Sequence, residues 1–247
     1  MSELSLPHQL WQNNLAKIVS RLNLREVLGE NDGPYMPLIS VAPIAEGEVG
    51  CVRVFKGETL SRLVTCSIVV PAIGLDSHML FAFTPAESPI PHFTLDSVRA
   101  GDHCAFHLDL IPRLDLGANL QYMDEAFTPL TDILKEAEDI EGLTPAQLDP
   151  RQYAVMSPWM FVSRATDEAF GKIDAPVGKY LDHWFALVEK GISEAATQAV
   201  TQENIVERDA RNKAIIFDPE VDKVWHQISG LIGADVAKNI RELLKKQ

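Results

Sequence analysis

The chain has 247 residues, 46% of them hydrophobic, with a formal net charge of −13 and a pI near 4.9. That length is enough to enclose a core and a ligand pocket in one large domain, which is preferred over two small ones. The acidity disfavours a nucleic-acid partner, because a phosphate backbone is held by a basic footprint. No apolar run approaches the roughly 20 residues needed to cross a bilayer, so no membrane partner is expected.

The N-terminal "MSELSLPHQLW" lacks the charged and apolar regions of a signal peptide, and a cytoplasmic location is the expectation. Residues 8–29 then place Leu10, Trp11, Leu15, Ile18, Val19, Leu22, Val27 and Leu28 at helical spacing, which predicts an amphipathic helix stopped by "GENDGP". From about residue 35 the period changes. The runs "PLISVAPI", "GCVRVF", "RLVTCSIVV", "HMLFAF", "HFTLDSV" and "HCAFHLDLI" are short, β-rich and separated by turn residues. Their short connections predict an antiparallel meander. After Pro112 come short helices and a proline-punctuated loop, then one more strand in "YAVMSPWMFVSR", so the sheet spans about residues 35–163. The remainder, about 177–246, is helical, with Leu181, Trp184, Phe185 and Val188 on one apolar face and Val224, Trp225, Ile228, Ile232 and Ile240 on another. Helix, sheet, then helices predicts a single-domain α/β fold, a three-layer α/β/α sandwich with a central, mainly antiparallel sheet.

The chemistry-bearing residues concentrate on two strands. In "SPIPHFTLDSV" His92, Thr94, Asp96 and Val98 share one face. In the next strand His103, Ala105, His107 and Asp109 do the same. Such faces are either solvated or line a cavity. If helices cover both sides of the sheet, Asp96 must be hydrogen-bonded, paired or held protonated, and a carboxyl group protonated near neutral pH is a proton donor. The histidines form no recognised metal-ligand spacing, and the three cysteines, Cys51, Cys66 and Cys104, form no CxxC pair. No GxGxxG, GxxxxGK[ST] or GxSxG motif is present, so no cofactor is predicted. Trp159 offers an aromatic surface, and Arg164 a guanidinium able to clamp a carboxylate. Asp218, before Pro219, reads as a helix cap, with Asp222 and Lys223 one turn further on. The basic residues cluster near the C-terminus, in "RDARNK" and "RELLKKQ".

The order of "FTPAESPIPHFTLDSV", "FHLDLIPRLDL", "YAVMSPWMFVSR", "RDARNKAIIFDPEVDKVW" and "GADVAKNI" resembles the ferredoxin-dependent bilin reductases and their relative, red chlorophyll catabolite reductase. The likeness spans about residues 60–244. It implies an antiparallel sheet flanked by helices and an open-chain tetrapyrrole held against the C-terminal helices. It also implies electrons supplied by ferredoxin rather than a bound cofactor, and protons supplied by pocket carboxyl groups. Asp96 falls on the family's central proton-donating aspartate. Asp222 falls near its second carboxyl position, with Asp218 a rival, and Lys223 and Arg164 fall near propionate-binding residues. The family's phycocyanobilin-forming members carry a Glu and a His on the two preceding strands. Here "VTCSIVV" has no acid and "HMLFAF" has only His78, so an acid–base pair opposite Asp96 is either missing or supplied by His92 or His107. Two alternatives share the pocket: a lyase or decarboxylase acting on an aromatic compound with Asp96 and a histidine as acid and base, and a non-enzymatic tetrapyrrole- or aromatic-binding protein.

Overall fold

The computed structural model describes residues 4–197 and 204–246. Helix α1, Leu6–Arg21, begins at Ser5, whose hydroxyl accepts the His8 N–H, and it turns Leu10, Trp11, Leu15 and Ile18 into the interior. It stops well short of residue 29. Asn23 takes a left-handed conformation with φ 49° and reverses the chain, so Arg25–Val27 becomes strand β1, paired antiparallel with β3. The apolar residues that seemed to extend the helical stripe are divided accordingly: Leu22 and Leu24 are buried, whereas Leu28 is exposed.

Strands β2 (Met36–Ile39), β3 (Glu48–Lys56), β4 (Arg62–Val70), β5 (Leu75–Phe83), β6 (His92–Ala100) and β7 (His103–Ile111) follow, and β3 to β7 form the expected meander. Helices α2 (Leu120–Ala126) and α3 (Thr131–Glu138) lead to β8 (Leu143–Pro145) and α4 (Pro150–Val155). Strand β9 is only Phe161–Ala165. The tract "YAVMSPWMFVSR" is therefore part helix, part turn and part strand, because Asp149 and Gln152 form a capping box that starts α4 just ahead of it. The strand order is β1-β3-β4-β5-β6-β7-β9-β8, with β2 also on β3, and each pairing is antiparallel.

Helices cover both faces of this sheet. One face carries Leu80, Phe93, Leu95, Phe106, Leu108 and Phe161 against α1, α5 (Asp167–Lys172) and α6 (Asp174–Lys190). A short α7 (Glu194–Thr197) follows. The other face carries Val52, Val64, Cys66, Met79, Phe81 and Phe83 against α8 (Ile205–Ile216), α9 (Val224–Ile232) and α10 (Ala234–Lys245). Between α9 and α10 Gly233, at φ 89°, breaks what the apolar spacing suggested was one continuous helix face. The α/β/α layering expected from the sequence is thus what is found.

The alternation of β6 assigns its residues to these two layers. Phe93 meets Trp184 of α6 at 5.5 Å between rings, while His92, Thr94 and Asp96 turn toward the C-terminal helices.

Strand β3 approaches β4 closely at Gly50, which pairs with Ile68 beside the irregularity where β2 shifts register. A Cβ at Gly50 would collide with the Ser67 carbonyl oxygen, a backbone atom that cannot swing aside. Gly50→Ala is expected to destabilise the fold by about 2 kcal/mol or more, read as a lowered urea midpoint.

Candidate functional site

The β6–β7 face toward the C-terminal helices is divided in two. At one end, near the start of β6, it is sealed. His92 is buried; its Nδ1 accepts the Thr84 N–H at 3.1 Å, which makes Nε2 the protonated nitrogen, donating to Asp209 of α8 at 2.9 Å. Asp209 also meets Lys213 at 2.7 Å, one helical turn on, and Arg113 at 3.5 Å. Arg113 donates further to the Thr84 hydroxyl and to the Pro85 and Ala86 carbonyls, while Arg62 lies over Phe83 and donates to the Leu244 and Lys246 carbonyls. Burial pushes His92 down to about 4, over the opposing pull of Asp209. Burial alone would raise Asp209, but His92, Arg113 and Lys213 together hold it well below the usual carboxylate range. The Lys213 of "RDARNK" is therefore internal, and Arg208 of the same tract turns inward to the Pro112 carbonyl.

At the other end the same face opens into a cavity of about 860 Å³ between β4–β7, β9 and the α8–α9 region. Its wall is mostly apolar, with Ile68, Met79, Phe81, Phe217, Trp225 and Ile228 prominent. Among the described residues the titratable groups lining it are three: Asp96, His107 and Asp222. Asp96 and His107 are direct cross-strand partners in the β6–β7 register, with Asp96 Oδ2 3.9 Å from His107 Nδ1. That is close enough for charge to be felt and too long for a hydrogen bond. Asp96 Oδ1 and His107 Nε2 are buried and have no hydrogen-bond partner among the described residues. Asp222 faces them from the loop between α8 and α9, its carboxylate accepting the Val224 N–H at 3.1 Å.

Each carboxyl group here is held above its ordinary value. Burial raises Asp96, against the pull of His107. Burial, with the Asp96 charge adding to it, pushes Asp222 up to about 6. Beneath them Asp109, wholly buried, accepts the Ser157 N–H at 2.9 Å and the Ser157 hydroxyl at 2.5 Å, and burial still pushes it up to about 6. Burial opposes charge on His107, but Asp96, Asp109 and Asp222 outweigh it and raise its value. The group is a cluster of three carboxyl groups and one imidazole, each shifted toward its protonated form, beside a mostly apolar wall. Such an arrangement suits proton delivery.

The structure brings Asp96, His107 and Asp222 together and takes His92 out of the cavity. Arg164 lies on the cavity-side face of β9, in register with Ala105, and is exposed; Lys223 is exposed beside Asp222. Neither lines the cavity. Trp159 packs on Phe127 in the opposite layer and donates from its indole to the Thr131 hydroxyl. Asp218 accepts the Glu220 N–H at 2.8 Å and turns the chain before α9, which begins at Val224 rather than at Pro219. Asp209 was missed, although Ile205, Asp209, Lys213 and Ile216 share a helical face that could have marked it as inward. Across the sheet, His8, Asp76 and His78 offer ligand atoms within 4.8 Å of one another. Those groups are accounted for locally: His78 bonds Asp76 and Ser67 and stacks under Trp11, which fastens α1 to β5.

No family model matches the chain, and no curated protein matches it. By architecture it is an α/β/α sandwich, the cavity lying between sheet and C-terminal helices. Among solved structures it is similar to phytochromobilin synthase from tomato, crystallised as the selenomethionine protein in complex with biliverdin. The identity is 18% and the TM-score 0.75, over 96% of this chain and 82% of that one. No helix among the described residues is long and apolar enough to cross a membrane.

The sealed end generates a pH signature. Folded His92 stays neutral down to about pH 4, whereas an unfolded histidine takes its proton near 6.5. Between those values the unfolded state binds more protons, so His92 costs stability as pH falls, by about 3 kcal/mol when the change is complete. Asp109 and Asp222 act in the opposite sense, since their folded values lie above that of a free carboxylate. The His92 contribution is therefore isolated by comparison with His92→Gln. Urea denaturation at pH 7 and at pH 4.5 is expected to show the stability difference between wild type and variant narrowing by about 2 kcal/mol at the lower pH.

Proposed function

We propose that the chain is an oxidoreductase of the bilin-reductase kind, reducing an open-chain tetrapyrrole or a related conjugated molecule. The observation that carries this reading is the cavity itself: an apolar enclosure of about 860 Å³, large enough for a sizeable conjugated ligand, whose lining titratable groups are two carboxyls and one imidazole. The order of motifs along the sequence and the likeness of fold to a synthase crystallised with biliverdin support it.

A two-electron reduction of a conjugated carbon skeleton consumes two electrons and two protons. Electrons arrive from an external one-electron donor, for which the sequence resemblance suggests ferredoxin. Asp96 and Asp222 approach the cavity from the sheet and from the helical layer, and each is held above its ordinary value. They are assigned as the two proton donors. His107, opposite Asp96 and drawn toward its protonated form by three carboxyls, positions and recharges Asp96. The apolar wall keeps bulk water from the reduced intermediate.

A second reading draws on the Asp96–His107 pair, which can remove and return one proton without electrons. This is the chemistry of a lyase or decarboxylase acting on an aromatic compound. The two readings separate on the need for a reductant: anaerobic turnover that requires a reduced iron–sulfur carrier supports reduction, whereas product formed without one supports the lyase.

Asn retains most of the shape and hydrogen bonding of Asp but cannot release a usable proton. Asp96→Asn and Asp222→Asn are each expected to lower kcat by about 10² to 10⁴ while leaving ligand binding close to wild type, with absorbance titration and single-turnover kinetics as the measurements. Full activity in Asp96→Asn would remove the donor assignment. Because a donor must start protonated, kcat should fall as pH rises through about 6, the value of Asp222. That limb should be lost from the pH–rate profile of Asp222→Asn.

A further inference from the structure

On the sheet face away from the cavity, helix α1 lays an imidazole over a carboxylate–imidazole pair. Asp76 and His78 are two residues apart on β5 and so share a face, with His78 Nε2 2.5 Å from Asp76 Oδ1 and Nδ1 2.9 Å from the Ser67 hydroxyl on β4. On the other side of β5 the cross-strand partner of His78 is Ser97, whose hydroxyl donates to the Pro7 carbonyl at 3.1 Å. That bond pins the first turn of α1 to the sheet immediately before His8. Trp11, one helical turn further on, stacks on His78 at 5.1 Å and meets His8 edge-on at 5.4 Å. The His8 and His78 rings are thereby held 4.7 Å apart, and one ligand atom from each of His8, Asp76 and His78 lies within 4.8 Å of the others. No other three His, Cys, Asp or Glu side chains among the described residues gather so closely. The bonds of Asp76 and His78 explain how α1 is fastened, but they leave His8 over: its backbone N–H is taken by the Ser5 cap, while its ring nitrogens have no hydrogen-bond partner among the described residues. Arg99, across from Asp76 in the register, is paired with Asp167 at 2.8 Å instead, so no Lys or Arg among the described residues pairs with Asp76.

We propose that His8, Asp76 and His78 form a binding site for a divalent transition ion, Zn²⁺ being the best match, which ties α1 to the centre of the sheet. Two imidazole nitrogens and one carboxylate oxygen are ordinary zinc donors, and a tetrahedral ion with three protein ligands keeps its fourth position for water. With the ion on Nε2 of His78, the imidazole proton sits on Nδ1 and is donated to the Ser67 hydroxyl, the outer-shell contact that orients a ligating histidine. Zn–ligand lengths of about 2.0 to 2.2 Å set donor atoms about 3.3 Å apart, so Asp76 and His78 open slightly around the ion while the His8 ring, held by ring contacts alone, closes on them. An unfolded chain does not bring residue 8 to residues 76 and 78, and binding therefore appears as folding stability. The site lies across the sheet from the cavity, so the proposal stands or falls independently of what the cavity binds.

The test uses the purified full-length chain, free of any affinity tag and stripped of metal with EDTA. Calorimetric titration with zinc chloride is expected to show one ion per chain with a dissociation constant in the micromolar range or below. At a free Zn²⁺ concentration about a hundredfold above that constant, the melting temperature should rise by about 5 °C or more. His8→Phe keeps a ring against Trp11 and His78 but has no ligand nitrogen. Its ion-free melting temperature is expected to stay near wild type while Zn²⁺ binding weakens by about a hundredfold or more, since even the outer-shell partners of a ligand are worth roughly 10- to 100-fold. Asp76→Asn should weaken binding in the same direction. Ni²⁺, a paramagnetic ion that takes the same donors, should quench tryptophan fluorescence, and the quenching should be lost in Trp11→Phe because that indole lies against both histidines. Absence of saturable Zn²⁺ binding, or binding that persists unchanged in His8→Phe, would overturn the proposal. So would binding that is lost in His107→Gln and kept in His8→Phe, which would put the ion in the cavity.

Discussion

A sheet covered by helices on both faces has no solvent to offer a polar side chain, and β6 and β7 nevertheless place His92, Thr94, Asp96, His107 and Asp109 on one covered face. Every such group must find a partner, hold a proton, or border a space that something else fills. The organisation of the C-terminal layer follows from this constraint. Helix α8 brings Asp209 to His92 and carries Lys213 one turn later, which closes the face at that end. The loop after α8 then lifts the chain away, and the face opens into the cavity with Asp222 above it.

The two ends illustrate two electrostatic regimes on the same strands. Around Asp209 charges are matched, and the carboxylate is depressed by three neighbours. Truncating it would strand Arg113 and Lys213 in the interior, which is why the network is a stability element even though it adds little over an apolar core of the same shape. Around Asp96 charges are not matched: three carboxyl groups share one imidazole, and burial raises all three above the ordinary carboxylate value. The proposed function uses the second arrangement, whose carboxyl groups are shifted toward their protonated forms. Asp109 links the two functions, since its bonds to Ser157 fix the turn before β9 while its charge helps to raise His107.

Much of the architecture was legible because it depends on local alternation. The period-2 pattern of β3 to β7 predicted a meander, and it placed His92 with Asp96 and His107 with Asp109 on shared faces, as found. Errors arose where one backbone conformation overrides a pattern. Asn23 turns an apparent helical stripe into β1, Gly233 splits the last helix, and the capping box at Asp149 takes Tyr153–Val155 out of a strand that their β-propensity favoured. The tract "RDARNK" stands out in the sequence only as a cluster of basic residues, yet its periodicity turns Asp209 and Lys213 inward.

The sequence by itself determined which residues share a face, and with that the layer order and the candidates His92, Asp96, His107 and Asp222. It could not determine which of them border a cavity. Strand alternation is a property of neighbouring residues, whereas access depends on where α8 ends and what stands across from each strand position more than a hundred residues away. His92 and Asp96 lie four residues apart on one strand and differ only in what the C-terminal helices place over them: Asp209 in bonding contact with the one, and open space bounded by Asp222 over the other. Desolvation and pairing are set by that distant packing, so the separation of structural from chemical residues belongs to the tertiary structure.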